Sequence, residues 1–140
     1  NIVYTHSVID YAADQAMGKR TFAGVLKRPG AMLAGSFLFT LLPFLIVACG
    51  VAFGYLSPWY LLVWGLLPRA IGLLYAVVVF MRDPQRELPL SWWVRPVQMW
   101  DQIKEAGIEW FMIRWLAARN LLMFFALMLI AAAVAGVVFK

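Results

Sequence analysis

An all-α, polytopic transmembrane helical bundle with an interfacial amphipathic helix is the fold this sequence predicts, and three observations predict it. The composition is 64% hydrophobic and 14% charged, with a mean hydropathy of +0.81, whereas a soluble domain is roughly half apolar and about a quarter charged. Pro29 through Pro68 carries no charged residue; as one helix it would be about 60 Å long, about twice the hydrocarbon thickness, so it crosses twice. Asn120–Phe139 is another charge-free run, set between Arg119 and Lys140, with the length of a single span. A chain of 140 residues holding these spans has no room for a large soluble catalytic domain. Cys49 is the single cysteine and lies in an apolar run, which excludes an intrachain disulfide, a CxxC redox pair and a Cys-based zinc site. It reads as ordinary packing.

The elements follow in order along residues 1–140, taken as a single transmembrane domain. Residues 1–18 read as the end of a preceding helix, rich in Ile, Val, Tyr and Ala, and with no initiator Met the chain reads as a fragment. Residues 19–30 form a basic loop. The long charge-free run divides at Ser57-Pro58-Trp59, because proline starts helices well, disfavours a helical residue before it, and Trp suits a bilayer interface. This gives spans over 31–55 and 59–81. Residues 82–119 are too long for a simple turn, and Asp83-Pro84 and Leu88-Pro89 break any helix there. After Pro96, the polar residues Gln98, Asp101, Gln102, Glu105 and Glu109 recur every three or four positions, so they line one side of an interfacial helix. Trp92, Trp93, Trp100, Trp110 and Trp115 belong to the same segment, where an amphipathic ring is favoured at headgroup depth. Residues 120–139 make the third span. Small residues at Ala31, Ala34 and Gly35, and again over 131–136, allow helices to approach closely.

Twelve Lys and Arg against seven Asp and Glu give a net charge of +5. Beside hydrophobic spans, such charge reports orientation and contact with anionic headgroups or phosphorylated substrates, not nucleic acid. If 82–119 does not cross, Lys19, Arg20, Lys27, Arg28, Arg82, Arg86, Arg95, Lys104, Arg114 and Arg119 share one side and Lys140 lies on the other. The positive-inside rule then places the ten in the cytoplasm and the Ser57 turn outside. The expected location is an integral, multi-pass position in a bacterial inner membrane or its organelle equivalent.

Asp10-Tyr11-Ala12-Ala13-Asp14 followed by Gly18-Lys19-Arg20-Thr21 is the sharpest chemical feature. Asp10 and Asp14 are i and i+4, so on a helix their carboxylates share a face. Mg²⁺ is typically held by one or two carboxylates plus substrate phosphates, so the pair beside Lys19 and Arg20 suits a diphosphate site. A solvated helix end followed by a basic loop has the same pattern. His6, four residues before Asp10, either positions a substrate or orients Asp10, or is a satisfied polar residue at a helix end. Arg69, after Pro68 in the second span, either reaches toward a diphosphate or pairs with an internal carboxylate or water. Asp101, Glu105 and Glu109 have helical spacing but carry Lys104 among them, and read as a solvated face.

The order of these residues, from Asp10-x-x-x-Asp14 through Gly18-Lys19-Arg20-Thr21 to an apolar helix after Pro29-Gly30, resembles the second aspartate motif of the UbiA-type intramembrane prenyltransferase superfamily. The resemblance implies the C-terminal part of a UbiA-like bundle, in which three spans follow that motif. It also implies Mg²⁺-dependent transfer of a prenyl group from a prenyl diphosphate to a lipophilic, typically aromatic acceptor within the membrane. Asp10 and Asp14 would be the metal-binding and catalytic carboxylates, and Lys19, Arg20, Arg69 and His6 the substrate-binding set. The family's first motif, an Asn-Asp-x-x-Asp-x-x-x-Asp run, is absent from these residues. The chain alone therefore holds half of the expected site, and a missing N-terminal half or a partner chain completes it. The alternative is a non-catalytic membrane subunit that packs in a larger membrane complex.

Overall fold

The computed structural model describes residues 1–84, 86, 88 and 99–139. The expectations that rest on Pro89, Trp92, Trp93, Arg95, Pro96, Gln98 and Lys140 lie outside the described residues. Within them the fold is all-α, with no strand. The helices are α1 (Ile2–Ile9), α2 (Tyr11–Ala16), α3 (Phe22–Leu26), α4 (Pro29–Ala52), a 3₁₀-helix (Pro58–Leu66), α5 (Leu67–Arg82), α6 (Trp100–Glu105) and α7 (Glu109–Val138). Three segments are long and apolar enough to cross a bilayer: Pro29–Ala52, Pro58–Arg82 and Glu109–Val138. The protein is thus an integral, multi-pass helical membrane protein.

Local chemistry sets the ends of α4. Pro29 occupies the first helical position, where its missing N–H costs nothing. At the far end Gly54 takes φ +74°, and the backbone N–H groups of Tyr55 and Leu56 both donate to the Gly50 carbonyl, at 2.8 and 2.9 Å. That left-handed glycine closes the helix and turns the chain back over its last turn. Leu56 then lies so close to Gly50 that an added Cβ would sit 2.6 Å from its Cδ1. Pro43, inside α4, removes one ladder bond without ending the helix.

The second crossing begins as a 3₁₀-helix and continues as α5. Pro68 has no N–H to give the Trp64 carbonyl, and the Leu67 N–H donates to it instead, three residues on. The third crossing, α7, starts at Glu109, eleven residues before the charge-free run. Gly107, at φ +65°, ends the turn after α6, and the acidic Glu109 in the first turn of α7 suits the positive end of the helix dipole. The polar stripe expected on a single interfacial helix is therefore divided. Asp101, Gln102 and Glu105 are exposed on the short α6, and Glu109 belongs to α7.

The core lies where α1 enters between α4 and α7. Met32, Ser36, Thr40, Phe44 and Val47 form the buried stripe of α4, at the three- and four-residue spacing of one helix face. Its polar members are satisfied: Ser36 donates to the Met32 carbonyl at 3.1 Å, and Asn1 Nδ2 donates to Thr40 Oγ1 at 3.2 Å. The latter bond sets the start of α1 level with the middle of α4. In hydrocarbon, outward-facing Leu, Ile and Phe lose nothing, so association rests on close approach and interhelical polar bonds. Gly35 supplies the first, since a Cβ there would lie 2.2 Å from the Tyr4 hydroxyl. Tyr4 supplies the second, donating to the Met32 carbonyl at 2.8 Å.

Candidate functional site

Asp10 and Asp14 stand where α1 gives way to α2. The interruption at Asp10 is slight, because Asp10 N–H donates to the His6 carbonyl (2.9 Å) and Asp14 N–H to the Asp10 carbonyl (2.8 Å). The helical i, i+4 relation between the carboxylates therefore holds through the junction. Asp14 is buried and Asp10 half-buried. Each has a nitrogen partner: His6 Nδ1 lies 3.2 Å from Asp10 Oδ2, and Lys19 Nζ lies 4.0 Å from Asp14 Oδ1.

The turn that follows is built by backbone constraints. Gly18 takes φ +66°, which reverses the chain after α2, and the Lys19 N–H returns to the Asp14 carbonyl at 2.9 Å. Thr21 then N-caps α3, its hydroxyl accepting from the Gly24 N–H at 3.3 Å. Ser7 of α1 accepts from the Ala23 N–H at 3.1 Å and docks α3 against the aspartate helix.

These elements enclose a cleft of ≈ 450 Å³. His6, Ser7, Asp14 and Thr21 form its polar part; Val3, Tyr4, Phe22 and Phe39 form its apolar wall, with Asn1 beside them. Tyr4, Phe22 and Phe39 are in mutual ring contact at 5.0 to 5.9 Å between centroids. Asp10 does not line the cleft but is joined to it through His6. On the other side of Thr21 is a second cleft of ≈ 650 Å³ that Lys19, Arg20 and Lys27 line.

Of the residues singled out from sequence, His6 contacts Asp10 and Lys19 contacts Asp14 as two separate pairs, and Arg20 lines the basic cleft with Lys19. Arg69 lines neither cleft. It is the third residue of α5, and its guanidinium carbon lies 5.7 Å over the Phe124 ring of α7. Arg114, which the charge count places among the loop cations, is 0% exposed between α5 and α7. Its Nε donates to the Ala76 carbonyl at 3.1 Å, its Nη1 to the Trp110 carbonyl, and the guanidinium lies 5.2 Å over the Phe80 ring. A helical reading extended back from Asn120 to Glu109 puts Arg114 on α7, though it does not reveal the burial. Tyr4, Ser7, Thr21 and Phe39, which shape the cleft, have no sequence signal of that kind.

No group of three or more His, Cys, Asp or Glu side chains close enough to hold a metal occurs among the described residues. The donor set open to a cation is the Asp10 and Asp14 pair. Two hard carboxylates at one helical face suit Mg²⁺ only where phosphate and water complete its shell. Compared with known proteins, the chain matches no protein-family model, no curated protein and no solved structure.

Proposed function

We propose that the chain supplies the second aspartate motif of a UbiA-like prenyltransferase, which moves a prenyl group from a prenyl diphosphate to a lipophilic acceptor in the membrane. The observation that carries this reading is the cleft beside Asp14, polar at His6, Asp14 and Thr21 and apolar at Val3, Tyr4, Phe22 and Phe39. Such a cleft suits an amphiphile, with phosphate at one end and hydrocarbon at the other. Asp10 and Asp14 would hold Mg²⁺, which neutralises the charge that builds on the departing diphosphate. Lys19, which pairs with Asp14, would add fixed positive charge near those oxygens. The apolar wall keeps water from the allylic carbon while its bond to diphosphate oxygen breaks, its bond to the acceptor forms and the acceptor loses a proton. The first acidic motif would come from residues outside these 140, in the same protein or a partner.

The test is binding of farnesyl diphosphate to the full protein in detergent, with Mg²⁺ or with EDTA. Binding is expected only with Mg²⁺, and Asp14→Asn, which keeps the side chain's shape and removes its charge, is expected to weaken it at least about tenfold. Equal binding by wild type and variant, or with and without Mg²⁺, overturns the assignment.

A second reading rests on the ion pairs. His6 beside Asp10 and Lys19 beside Asp14 already give each carboxylate a partner within the chain, as a non-catalytic membrane subunit would need. In that case Asp14→Asn lowers the unfolding temperature and the protein binds no prenyl diphosphate under either condition.

A further inference from the structure

The turn from Gly18 to Arg28 concentrates four cations, Lys19, Arg20, Lys27 and Arg28. Lys19, Arg20 and Lys27 line its ≈ 650 Å³ cleft together with Gly18, Gly24 and Val25. No carboxylate lines it, and among the described residues Lys19 alone of these cations has an acidic neighbour, Asp14 at 4.0 Å. The sequence from Gln15 through Arg82 contains no Asp or Glu, so Arg20 and Lys27 have no acidic residue within that stretch. Beside the cations, α3 turns apolar side chains outward. Its buried face is Ala23, at 0% exposure and bonded to Ser7, while Phe22 is 60% and Val25 73% exposed.

Apolar side chains set among cations fit the headgroup region of a bilayer, where Lys and Arg meet phosphate and the apolar groups reach the acyl boundary. The place in the fold agrees, since Arg28 is the N-cap of α4 and the apolar span begins at Pro29. The backbone at Lys27 adds an independent observation. Lys27 has φ 55°, the sole positive φ outside glycine among the described residues, at the C-cap of α3. Glycine is the unstrained residue for that conformation. Lysine there keeps a cation in the cleft at the cost of backbone strain.

We infer that the 19–27 turn binds the phosphate-bearing headgroup of an anionic phospholipid, with Arg20 and Lys27 as its cationic partners and Val25 at the acyl boundary. The inference does not rest on the prenyl-transfer reading, because neither Asp10, Asp14 nor a metal takes part. The test uses the full protein purified in detergent and given equal amounts of phosphatidylglycerol and phosphatidylcholine, with retained lipid read by native mass spectrometry. Wild type retains phosphatidylglycerol preferentially, and each cation removed lowers the preference about fivefold, so Arg20→Gln with Lys27→Gln lowers it about 25-fold. Arg82→Gln, at the same basic end but outside the cleft, keeps the preference. Lys27→Gly guards against misfolding: it lowers the preference while the unfolding temperature holds or rises. Retention is unchanged by EDTA, so this inference and the prenyl diphosphate assignment fail separately. A preference that survives the double substitution, or falls equally in Arg82→Gln, overturns the inference. Displacement of the lipid by an equal concentration of inorganic diphosphate also overturns it, assigning the cleft to a soluble anion.

Discussion

A guanidinium enclosed completely between two helices loses its hydration, and it persists only where carbonyl oxygens or an aromatic face replace water. Arg114 has two such oxygens and the Phe80 ring, while its Nη2 is buried without a partner. Both acceptors, Ala76 and Trp110, lie inside helices whose own ladders already use those carbonyls. Removing the guanidinium therefore leaves no orphaned oxygen. The side chain's contribution to stability is then mostly the volume it fills and the α5–α7 bridge it forms. Arg114→Met, which keeps most of that volume, is expected to change the unfolding free energy by less than about 1.5 kcal/mol. Arg114→Ala, which leaves a cavity, is expected to cost about 3 kcal/mol. Denaturant unfolding of the protein in mixed micelles measures both. Equal, large losses in the two variants would show that the charge itself holds the helices together. In the sequence Arg114 is one cation among ten on the basic side, because its burial depends on α5, which packs against it from 38 residues away.

At the scale of one element, the 3₁₀ start of the second crossing is unusual, since such helices rarely exceed three or four residues and this one spans Pro58–Leu66. Packing explains its length. Val63 and Leu66 are buried and Tyr60 is half-buried against the core, a three-residue spacing that a 3₁₀-helix keeps in one line and an α-helix rotates away. The pattern 60, 63, 66 was present in the sequence, but charge-free composition alone does not distinguish the two helices. Pro68 fits this geometry because the Leu67 N–H already serves the Trp64 carbonyl. Pro68→Ala restores a donor that only an α-helical continuation can use. In an ordinary helix interior this change would gain about 3 kcal/mol. Here no gain in unfolding temperature is expected, because an α-helical 58–66 would turn Val63 or Leu66 toward lipid. A gain of the full size, read by thermal unfolding, would show that proline alone imposes the 3₁₀ form.

Across the whole molecule, what the sequence reveals divides by the range of the interaction. The three spans are legible because a bilayer demands long runs without charge, and the helix containing each run is found in the structure. His6, Asp10, Asp14 and Lys19 are legible because helix geometry and one tight turn pair them, His6 with Asp10 and Lys19 with Asp14, within fourteen positions. The cleft wall is not, since Tyr4, Phe22 and Phe39 meet only through packing of α1, α3 and α4. Orientation is a property of the whole chain in its membrane, and the placement of charge carries it. With Lys19, Arg20, Lys27 and Arg28 before the first span, and Arg82 and Arg86 after the second, the turn near Tyr55 is expected on the opposite, outer face. Tyr55 is 85% exposed and Gln15 is exposed on α2, so each accepts a cysteine at little cost once Cys49 is changed to Ala. A membrane-impermeant maleimide applied to intact cells should label Tyr55→Cys and spare Gln15→Cys, and permeabilised cells should show both labelled. The reverse pattern would put the basic end outside, and the Asp10 and Asp14 cleft with it.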